Sequence, residues 1–126
     1  MSVLYYEKRD HVGYITLNRP QAMNAFNDEL NDELGRVLTD LKDDPSVFLG
    51  VVTGEGRAFS TGADVKEMNS RSQRSGEHTT LNSPLKMGVW KPLIAAIDGY
   101  ALGGGLLFAI ECDIRLATER SRLGIV

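Results

Sequence analysis

The sequence contains little cysteine, histidine or proline. Its 126 residues include one cysteine, two histidines and four prolines. Because Cys112 stands alone, an intrachain disulfide is excluded, and this residue is most simply a small buried side chain. His11 is predicted in a hairpin turn and His78 in a polar loop, and neither has an evident serine or cysteine nucleophile beside it. A hydrolase built on a Ser–His pair is therefore disfavoured.

An excess of positive charge and long apolar runs are also absent. The formal net charge is −3, and the only basic cluster, residues 115–122, is interrupted by Glu119, so no nucleic-acid or anionic-membrane surface is expected. No apolar stretch approaches the ~20 residues that span a bilayer, and the N-terminal residues lack the pattern of a secretory signal. With 42% hydrophobic and 25% charged residues, the sequence predicts one soluble, cytoplasmic domain.

The first half of the chain predicts a β-hairpin, a helix and a further strand. The β-prone stretches 4–8 and 12–17 are separated by polar residues, which favours an antiparallel pair. Over residues 28–42 apolar side chains recur at helical spacing, and the acidic residues at the start of this segment suit a helix N-terminus. The apolar, β-branched segment 47–53 predicts a buried strand.

The second half repeats an order of strand, glycine-rich turn and helix. Residues 58–64 predict a strand end that runs into a helix start, and residues 69–82 form a polar segment that we interpret as a loop and candidate lid. A buried strand is predicted at 93–97, a helix at 106–111 and a strand at 114–117. The two repeated units indicate an α/β architecture with no internal domain boundary.

Two glycine-containing segments, residues 62–64 and 103–105, each lie between a predicted strand and a predicted helix. Such segments present free backbone N–H groups, and a helix N-terminus favours negative charge. If the two segments converge, one N–H from each could hold the oxygen of a thioester as it becomes an enolate. The same spacing is compatible with tight turns and close packing of helix on strand, and spacing alone does not decide between these interpretations.

Neither glycine-rich stretch fits a nucleotide-binding fingerprint. At residues 54–56 the position for the third glycine of a dinucleotide-binding motif is occupied by Phe59. Residues 103–105 are not followed by Lys-Ser or Lys-Thr, which excludes a phosphate-binding P-loop.

Four motifs in a fixed order resemble those of the enoyl-CoA hydratase/isomerase (crotonase) family. They are NRP at 18–20 with MNA at 23–25, TGEGRAFSTGAD at 53–64, KPLIAAIDGYALGGG at 91–105 and CDIRLA at 112–117. The resemblance runs nearly from end to end. It implies a crotonase-type α/β spiral of repeated β-β-α units, in which residues 1–126 are the N-terminal part and the C-terminal half and assembly helices are absent.

The resemblance also implies roles for individual residues. The backbone N–H groups of Ala63 and Gly104 would form an oxyanion hole. The implied contacts to coenzyme A are Thr61, Ala63, Val65, Lys66 and Met23. Of these, the first three would line the adenine side, whereas the lysine and the region around residues 21–23 would lie near the phosphate-bearing portion. A solvated surface position is equally compatible with the lysine. No metal or separate cofactor is implied, because coenzyme A is part of the substrate.

One position departs from the family pattern in a way that affects the chemistry. Leu107 stands where hydratases of the family carry a glutamate, and a second family glutamate would lie beyond residues 122–126. Glu111 faces the same side of the helix but lies about 6 Å further along, so it is a poor substitute. Asp64 and Asp98 are better explained as a helix-start residue and a turn residue. Because Leu107 replaces the first glutamate, an isomerase, or another reaction with a single acid–base group, is favoured over ordinary hydration.

Two functions remain compatible with the sequence. One is an enzyme that acts on an acyl-CoA thioester, and the other is a non-catalytic or regulatory acyl-CoA-binding paralogue or inactive fragment. Family members assemble as trimers or dimers of trimers, so the complete protein is expected to be a homo-oligomer. A truncated spiral also predicts an uncovered sheet edge and exposed apolar helix positions at Leu106, Phe108 and Ile110, and therefore association or aggregation of the isolated chain.

Overall fold

The computed structural model describes residues 2–64 and 80–125. In chain order its elements are β1 (Leu4–Arg9), β2 (Val12–Leu17), a 3₁₀ turn (Pro20–Ala22), α1 (Asp28–Asp43), β3 (Leu49–Gly54), β4 (Ala58–Ser60), β5 (Leu93–Ile97), β6 (Tyr100–Leu102), α2 (Gly104–Glu111), β7 (Ile114–Ala117) and β8 (Arg122–Gly124). Val65, Lys66, His78 and most of the predicted polar loop lie outside the described residues. In the part of the chain that the structure describes, no helix is long and apolar enough to cross a membrane.

The strands form two sheets. The larger sheet has the order β1-β2-β3-β5-β7, in which β1 and β2 are antiparallel and the remaining pairs are parallel. The smaller sheet has the order β4-β6-β8 and is parallel throughout. The chain passes from a strand of the larger sheet to a strand of the smaller sheet three times, and after β6 it continues into α2. The predicted α/β architecture is therefore confirmed, whereas the helix predicted to follow residues 58–64 lies outside the described residues.

Helix α1 supplies much of the hydrophobic core. Its start is fixed by Asn27, whose side-chain Oδ1 accepts a hydrogen bond from the Leu30 N–H at 2.9 Å and so satisfies one of the free donors of the first turn. The inward face is completely buried and consists of Leu30, Leu34, Val37, Leu38 and Leu41. This stripe is the periodicity that predicted the helix, and the helix ends one residue later than predicted, at Asp43.

Strand β3 begins two residues later than the predicted strand 47–53. The Val47 N–H turns back to the Asp44 carbonyl at 3.1 Å, and the Phe48 N–H donates to the His11 carbonyl at 2.7 Å. The Val47 N–H is therefore used in the turn after α1, whereas the Phe48 N–H bonds the turn between β1 and β2, directly before the pairing of β2 with β3. The apolar character of Val47 reflects its burial and not membership of the strand.

A buried lysine connects the end of α1 to the start of β5. Lys91 precedes β5 and is 5% exposed. Its Nζ donates to the carbonyls of Leu41 at 2.7 Å and Asp44 at 2.6 Å. These carbonyls lie at the end of α1, where unpaired backbone acceptors and the helix dipole favour a cation. The lysine thus satisfies the helix C-terminus and fixes the start of β5 against it.

Helix α2 begins at Gly104, two residues earlier than predicted, and its burial differs from the expectation. Phe108 is fully buried, and its ring lies 6.2 Å from that of Phe26 and 6.3 Å from that of Phe59, measured between centroids. The prediction of an exposed Phe108 is therefore wrong, because this face of α2 packs into an aromatic cluster. Ile110 is exposed as predicted, and Leu106 is only partly exposed.

The larger sheet ends in an exposed strand. All four residues of β7 are exposed, and Ile114 and Leu116 are 51% and 59% exposed. Among the described residues, no strand pairs with its outer edge. The predicted uncovered sheet edge is confirmed, whereas the association expected from it stays a prediction.

The aromatic cluster leads to a stability prediction. Phe108→Ala should lower the free energy of unfolding by about 3–5 kcal/mol, because it removes a fully buried ring and leaves a cavity. Urea denaturation followed by circular dichroism measures this change. Ile110→Ala, on the half-exposed side of the same helix, is the control and should cost less than about 1 kcal/mol. Equal losses in the two variants would contradict the assigned burial.

The single thiol leads to a second prediction. Cys112 is 4% exposed, and burial, assisted by the negative charge of Asp113, raises the pKa of its thiol to about 12. Thiolate is the reactive form, so at about pH 8 the native protein should react with a disulfide reagent such as DTNB far more slowly than the urea-unfolded chain. Equally fast labelling of the two states would show that the thiol is accessible.

Candidate active site

The two predicted glycine segments lie against each other in the structure. Gly62 has a φ of +97°, and a Cβ added to it would lie 2.8 Å from the Gly104 nitrogen. A Cβ added to Gly105 would lie 2.1 Å from the Ser60 carbonyl oxygen, a distance that no side chain tolerates. Glycine at these two positions is therefore required for the end of β4 to meet the start of α2.

Two backbone N–H groups, those of Ala63 and Gly104, lie at this junction. The Phe26 N–H donates to the Gly62 carbonyl at 2.8 Å, and the Asp64 N–H donates to the Phe26 carbonyl at 3.0 Å. Because peptide groups alternate along an extended chain, the Ala63 N–H points to the opposite side. Gly104 is the first residue of α2, where an N–H has no acceptor within the helix.

Both N–H groups are available to a ligand. Among residues 2–64 and 80–125, neither the Ala63 N–H nor the Gly104 N–H forms a hydrogen bond. Ala63 is exposed and Gly104 is partly exposed, so a ligand atom can approach. The positive end of the α2 dipole lies at the same place. This arrangement can hold an oxygen atom that carries or develops negative charge.

A buried asparagine fixes the chain that precedes the junction. Asn24 is completely buried and has a φ of +56°. Its Nδ2 donates to the carbonyls of Glu55 at 2.9 Å and Ala58 at 2.8 Å, and its Oδ1 accepts from the Arg19 N–H at 2.7 Å. One side chain therefore ties the segment after β2 to both sides of the turn before β4.

A buried serine connects this asparagine to the glycine segment. The Ser60 hydroxyl donates to the Asn24 carbonyl at 2.8 Å and accepts from the Gly62 N–H at 3.1 Å. Ser60 is completely buried. Sequence reasoning assigned no role to Asn24 or Ser60, although both lie inside the quoted motifs. The available signal was a small polar residue directly after the apolar pair Ala58 and Phe59.

An ion pair lies on the other side of the junction. Arg19 Nη1 donates to the Ala25 carbonyl at 2.7 Å and to Asp64 Oδ2 at 3.2 Å. The two side chains are only 12% and 22% exposed, so this pair is less screened by solvent than a surface pair. Asp64 is thereby held in place immediately after Ala63. Its predicted role at a helix start depends on residues outside the described ranges and stays a prediction.

The structure brings together some of the residues implied for coenzyme A. The Thr61 N–H donates to the Met23 carbonyl at 3.2 Å, so these two residues lie side by side. Thr61 precedes Ala63 by two positions. Thr61 and Met23 are both partly exposed. Val65 and Lys66 lie outside the described residues, and their contacts stay predictions.

The sequence profile of the enoyl-CoA hydratase/isomerase family matches residues 7–125. The chain belongs to the enoyl-CoA hydratase/isomerase family. Solved structures of enoyl-CoA hydratases share its fold. An enoyl-CoA hydratase/isomerase from Mycobacterium paratuberculosis aligns with a TM-score of 0.86 and 32% identity, over 98% of this chain and 50% of that chain. An enoyl-CoA hydratase from Mycobacterium smegmatis aligns with a TM-score of 0.79 and 36% identity over 99% and 51% of the two chains. The predicted crotonase-type spiral is thus confirmed.

Curated relatives give the same result at the level of sequence. The (E)-benzylidenesuccinyl-CoA hydratase of Thauera aromatica is 38% identical over 94% of this chain and 48% of its own length. The mitochondrial enoyl-CoA hydratase of Pongo abelii is 41% identical over 91% of this chain and 40% of its own length. The chain spans about half the length of the curated relatives it matches.

Leu107, the position at which the family resemblance implies a glutamate, lies in the first turn of α2. Its N–H donates to the Gly103 carbonyl at 3.0 Å, so it lies one helical turn after the start of α2 and on the same face. The side chain is 49% exposed. Glu111 is engaged elsewhere, because its Oε1 accepts from the Leu85 N–H at 2.7 Å. In the described ranges no group of three metal-ligating side chains comes together.

The serine connection leads to a testable prediction. Ser60→Ala should lower the free energy of unfolding by about 1–3 kcal/mol, because it leaves the buried Gly62 N–H and Asn24 carbonyl without their partner. Thermal and urea denaturation measure the loss. Ser46→Ala is the matched control, since the Ser46 hydroxyl bonds only Asp44 at the surface and its removal should cost clearly less. A stable Ser60→Ala protein would show that the connection is dispensable.

Proposed function

We propose that this protein supplies the thioester-binding and enolate-stabilising part of an enzyme that acts on acyl-CoA substrates. One observation carries the proposal, namely that the unengaged N–H groups of Ala63 and Gly104 meet at an accessible junction beside a helix N-terminus. Membership of the enoyl-CoA hydratase/isomerase family supports the substrate class.

In the proposed mechanism the thioester carbonyl oxygen accepts hydrogen bonds from both N–H groups. Negative charge grows on this oxygen when a proton leaves the α-carbon and the enolate forms. The two donors therefore bind the transition state more strongly than the substrate, which is the condition for rate acceleration. Each such donor is typically worth about 3–4 kcal/mol of transition-state stabilisation.

The remainder of the substrate is assigned to neighbouring residues. Thr61 and Val65 would contact the adenine side of coenzyme A together with Ala63, and Met23 and Lys66 would lie near its phosphates. Thr61 and Met23 support this assignment through their mutual hydrogen bond beside the junction. The proposal needs no cofactor apart from the coenzyme A of the substrate. We also propose that the complete protein acts as a homo-oligomer in the cytoplasm.

The proposed reaction is an isomerisation, or another conversion with a single acid–base group. The curated relatives named above are hydratases, and hydration needs one group to activate water and another to handle the α-carbon proton. Leu107 can do neither, and Glu111 is held by the Leu85 N–H. The Asp64 carboxylate, which directly follows Ala63, is paired with Arg19.

The oxyanion proposal predicts a difference between two substitutions at one position. Gly104→Ala keeps the N–H, and its Cβ would make ordinary contacts of 3.5 Å or more. Gly104→Pro adds a similar Cβ but removes the N–H, and proline is well tolerated at the first position of a helix. The carbonyl ¹³C resonance of bound [1-¹³C]acetyl-CoA should shift downfield with wild type and Gly104→Ala, and clearly less with Gly104→Pro.

Turnover by the complete protein provides a second measurement. Gly104→Pro should have a kcat about 10²–10³-fold below that of Gly104→Ala, as for removal of one oxyanion donor. A folded Gly104→Pro protein that matches Gly104→Ala in both measurements would remove the proposed role of this N–H.

The identity of residue 107 predicts the reaction preference. Hydration of crotonyl-CoA by the complete protein should be slow, and Leu107→Glu should raise it by roughly 10²–10⁴-fold if the geometry around the junction is intact. Because Leu107 is half exposed, the new carboxylate should cost little stability. Leu107→Gln, with a similar shape but no transferable proton, should not raise the rate. Fast hydration by the wild type would show that another group replaces the missing glutamate.

A further inference from the structure

Three arginines line one surface depression at the end of the smaller sheet that lies away from the junction. The depression has a volume of about 430 Å³ and is lined by Gly56, Arg57, Gly99, Tyr100, Arg120 and Arg122. Three turns contribute to it: Arg57 precedes β4, Gly99 and Tyr100 lie between β5 and the start of β6, and Arg120 and Arg122 lie just before and at the start of β8. Among the described residues, no carboxylate lines this space.

Backbone hydrogen bonds fix the three turns relative to one another. The Tyr100 N–H donates to the Arg57 carbonyl at 3.3 Å, and the Arg122 N–H donates to the Gly99 carbonyl at 3.0 Å. In the parallel sheet Tyr100 is in register with Ala58 on one side and with Arg122 on the other. The bases of the side chains are therefore held on a rigid scaffold, although the guanidinium groups are exposed.

Only one of the three arginines has a counter-charge in the described part of the chain. Arg120 donates to both carboxylate oxygens of Asp98 through Nε and Nη2, and this contact lowers the pKa of Asp98 to about 2. Thr118 donates to the same carboxylate at 2.8 Å, which further fixes it. Within residues 2–64 and 80–125, Arg57 and Arg122 form no ion pair.

The balance of charge points to an anion. The protein as a whole has a formal net charge of −3, yet three arginines line this depression. A neighbouring carboxylate, that of Asp98, neutralises only one of them. Like charges that converge without counter-ions repel each other. Guanidinium groups only donate hydrogen bonds, and their planar forks match the oxygens of a phosphate. The Tyr100 hydroxyl can also donate.

We propose that this depression is a binding site for a phosphate group, held by Arg57 and Arg122 with Arg120 and Tyr100 beside them. The site is separate from the proposed thioester site, because β4 runs from Arg57 at one end to the Gly62 segment at the other. Strand β4 alone spans three residues, or roughly 10 Å. The proposal therefore does not rest on the proposed function.

Equilibrium dialysis with ³²P-labelled inorganic phosphate tests the proposal and works whether or not the protein self-associates. Measurements are made at constant ionic strength with chloride as the replacing anion, because general screening must not change during the titration. Wild type should bind phosphate saturably with one site per chain. Arg57→Gln and Arg122→Gln should each weaken binding by about tenfold, since each removes a charge-assisted contact.

A matched control separates the site from net charge. Arg36→Gln removes an exposed arginine of α1 that pairs with Glu33, so the net charge changes by the same amount, and phosphate binding should stay at the wild-type level. Arg57→Lys and Arg122→Lys keep the charge but lose the planar fork, and should bind with intermediate affinity. Because these side chains are exposed, the variants should fold, which circular dichroism verifies.

Competition by coenzyme A identifies the source of the phosphate. If coenzyme A displaces the labelled phosphate, and does so less effectively from Arg122→Gln, a phosphate of coenzyme A occupies the depression. Retention of the label at saturating coenzyme A would assign the site to free phosphate or to another phosphorylated metabolite. Non-saturable binding by wild type, or an equal loss of affinity in Arg36→Gln and Arg57→Gln, would overturn the proposal.

Discussion

The close contact between two stretches of backbone, the end of β4 and the start of α2, is the constraint on which the candidate site depends. It is possible only because residues 62 and 105 have no side chain. The donors at this contact belong to the main chain, so their positions do not depend on a rotamer. The contact also aligns the first turn of α2 with the exposed segment at Ala63. The glycines that allow this packing thus also position the donors of the proposed oxyanion site.

Beneath this contact lies a small polar network that must be complete to be stable. Asn24 and Ser60 are completely buried, and each of their polar side-chain atoms has a partner in the main chain. A buried network of this kind is costly if one member loses its partner, and it specifies a single arrangement when all are paired. The turn that contains Asn24 therefore contributes to the site without facing a ligand.

The main features of the fold could be predicted from the sequence because they depend on periodic burial. The hairpin, α1 and strand β5 follow from apolar spacing, and the glycine segments follow from their place between strand and helix. The role of Asn24 could not be predicted, because a buried asparagine in a turn has the same sequence signature as a solvated one. Phe108 was assigned to the wrong surface because α2 is apolar on all sides, so periodicity does not distinguish its faces.

In the proposed mechanism, carbonyl binding and proton transfer depend on different kinds of group. The donors at Ala63 and Gly104 are backbone groups, so a substitution at residue 107 leaves them unchanged. Proton transfer needs side chains of suitable pKa, and one substitution such as leucine for glutamate removes it. A chain can therefore keep the means to polarise a thioester while the proton-transferring groups vary. Function in such a fold is decided by the side chains around the main-chain geometry, and not by the fold itself.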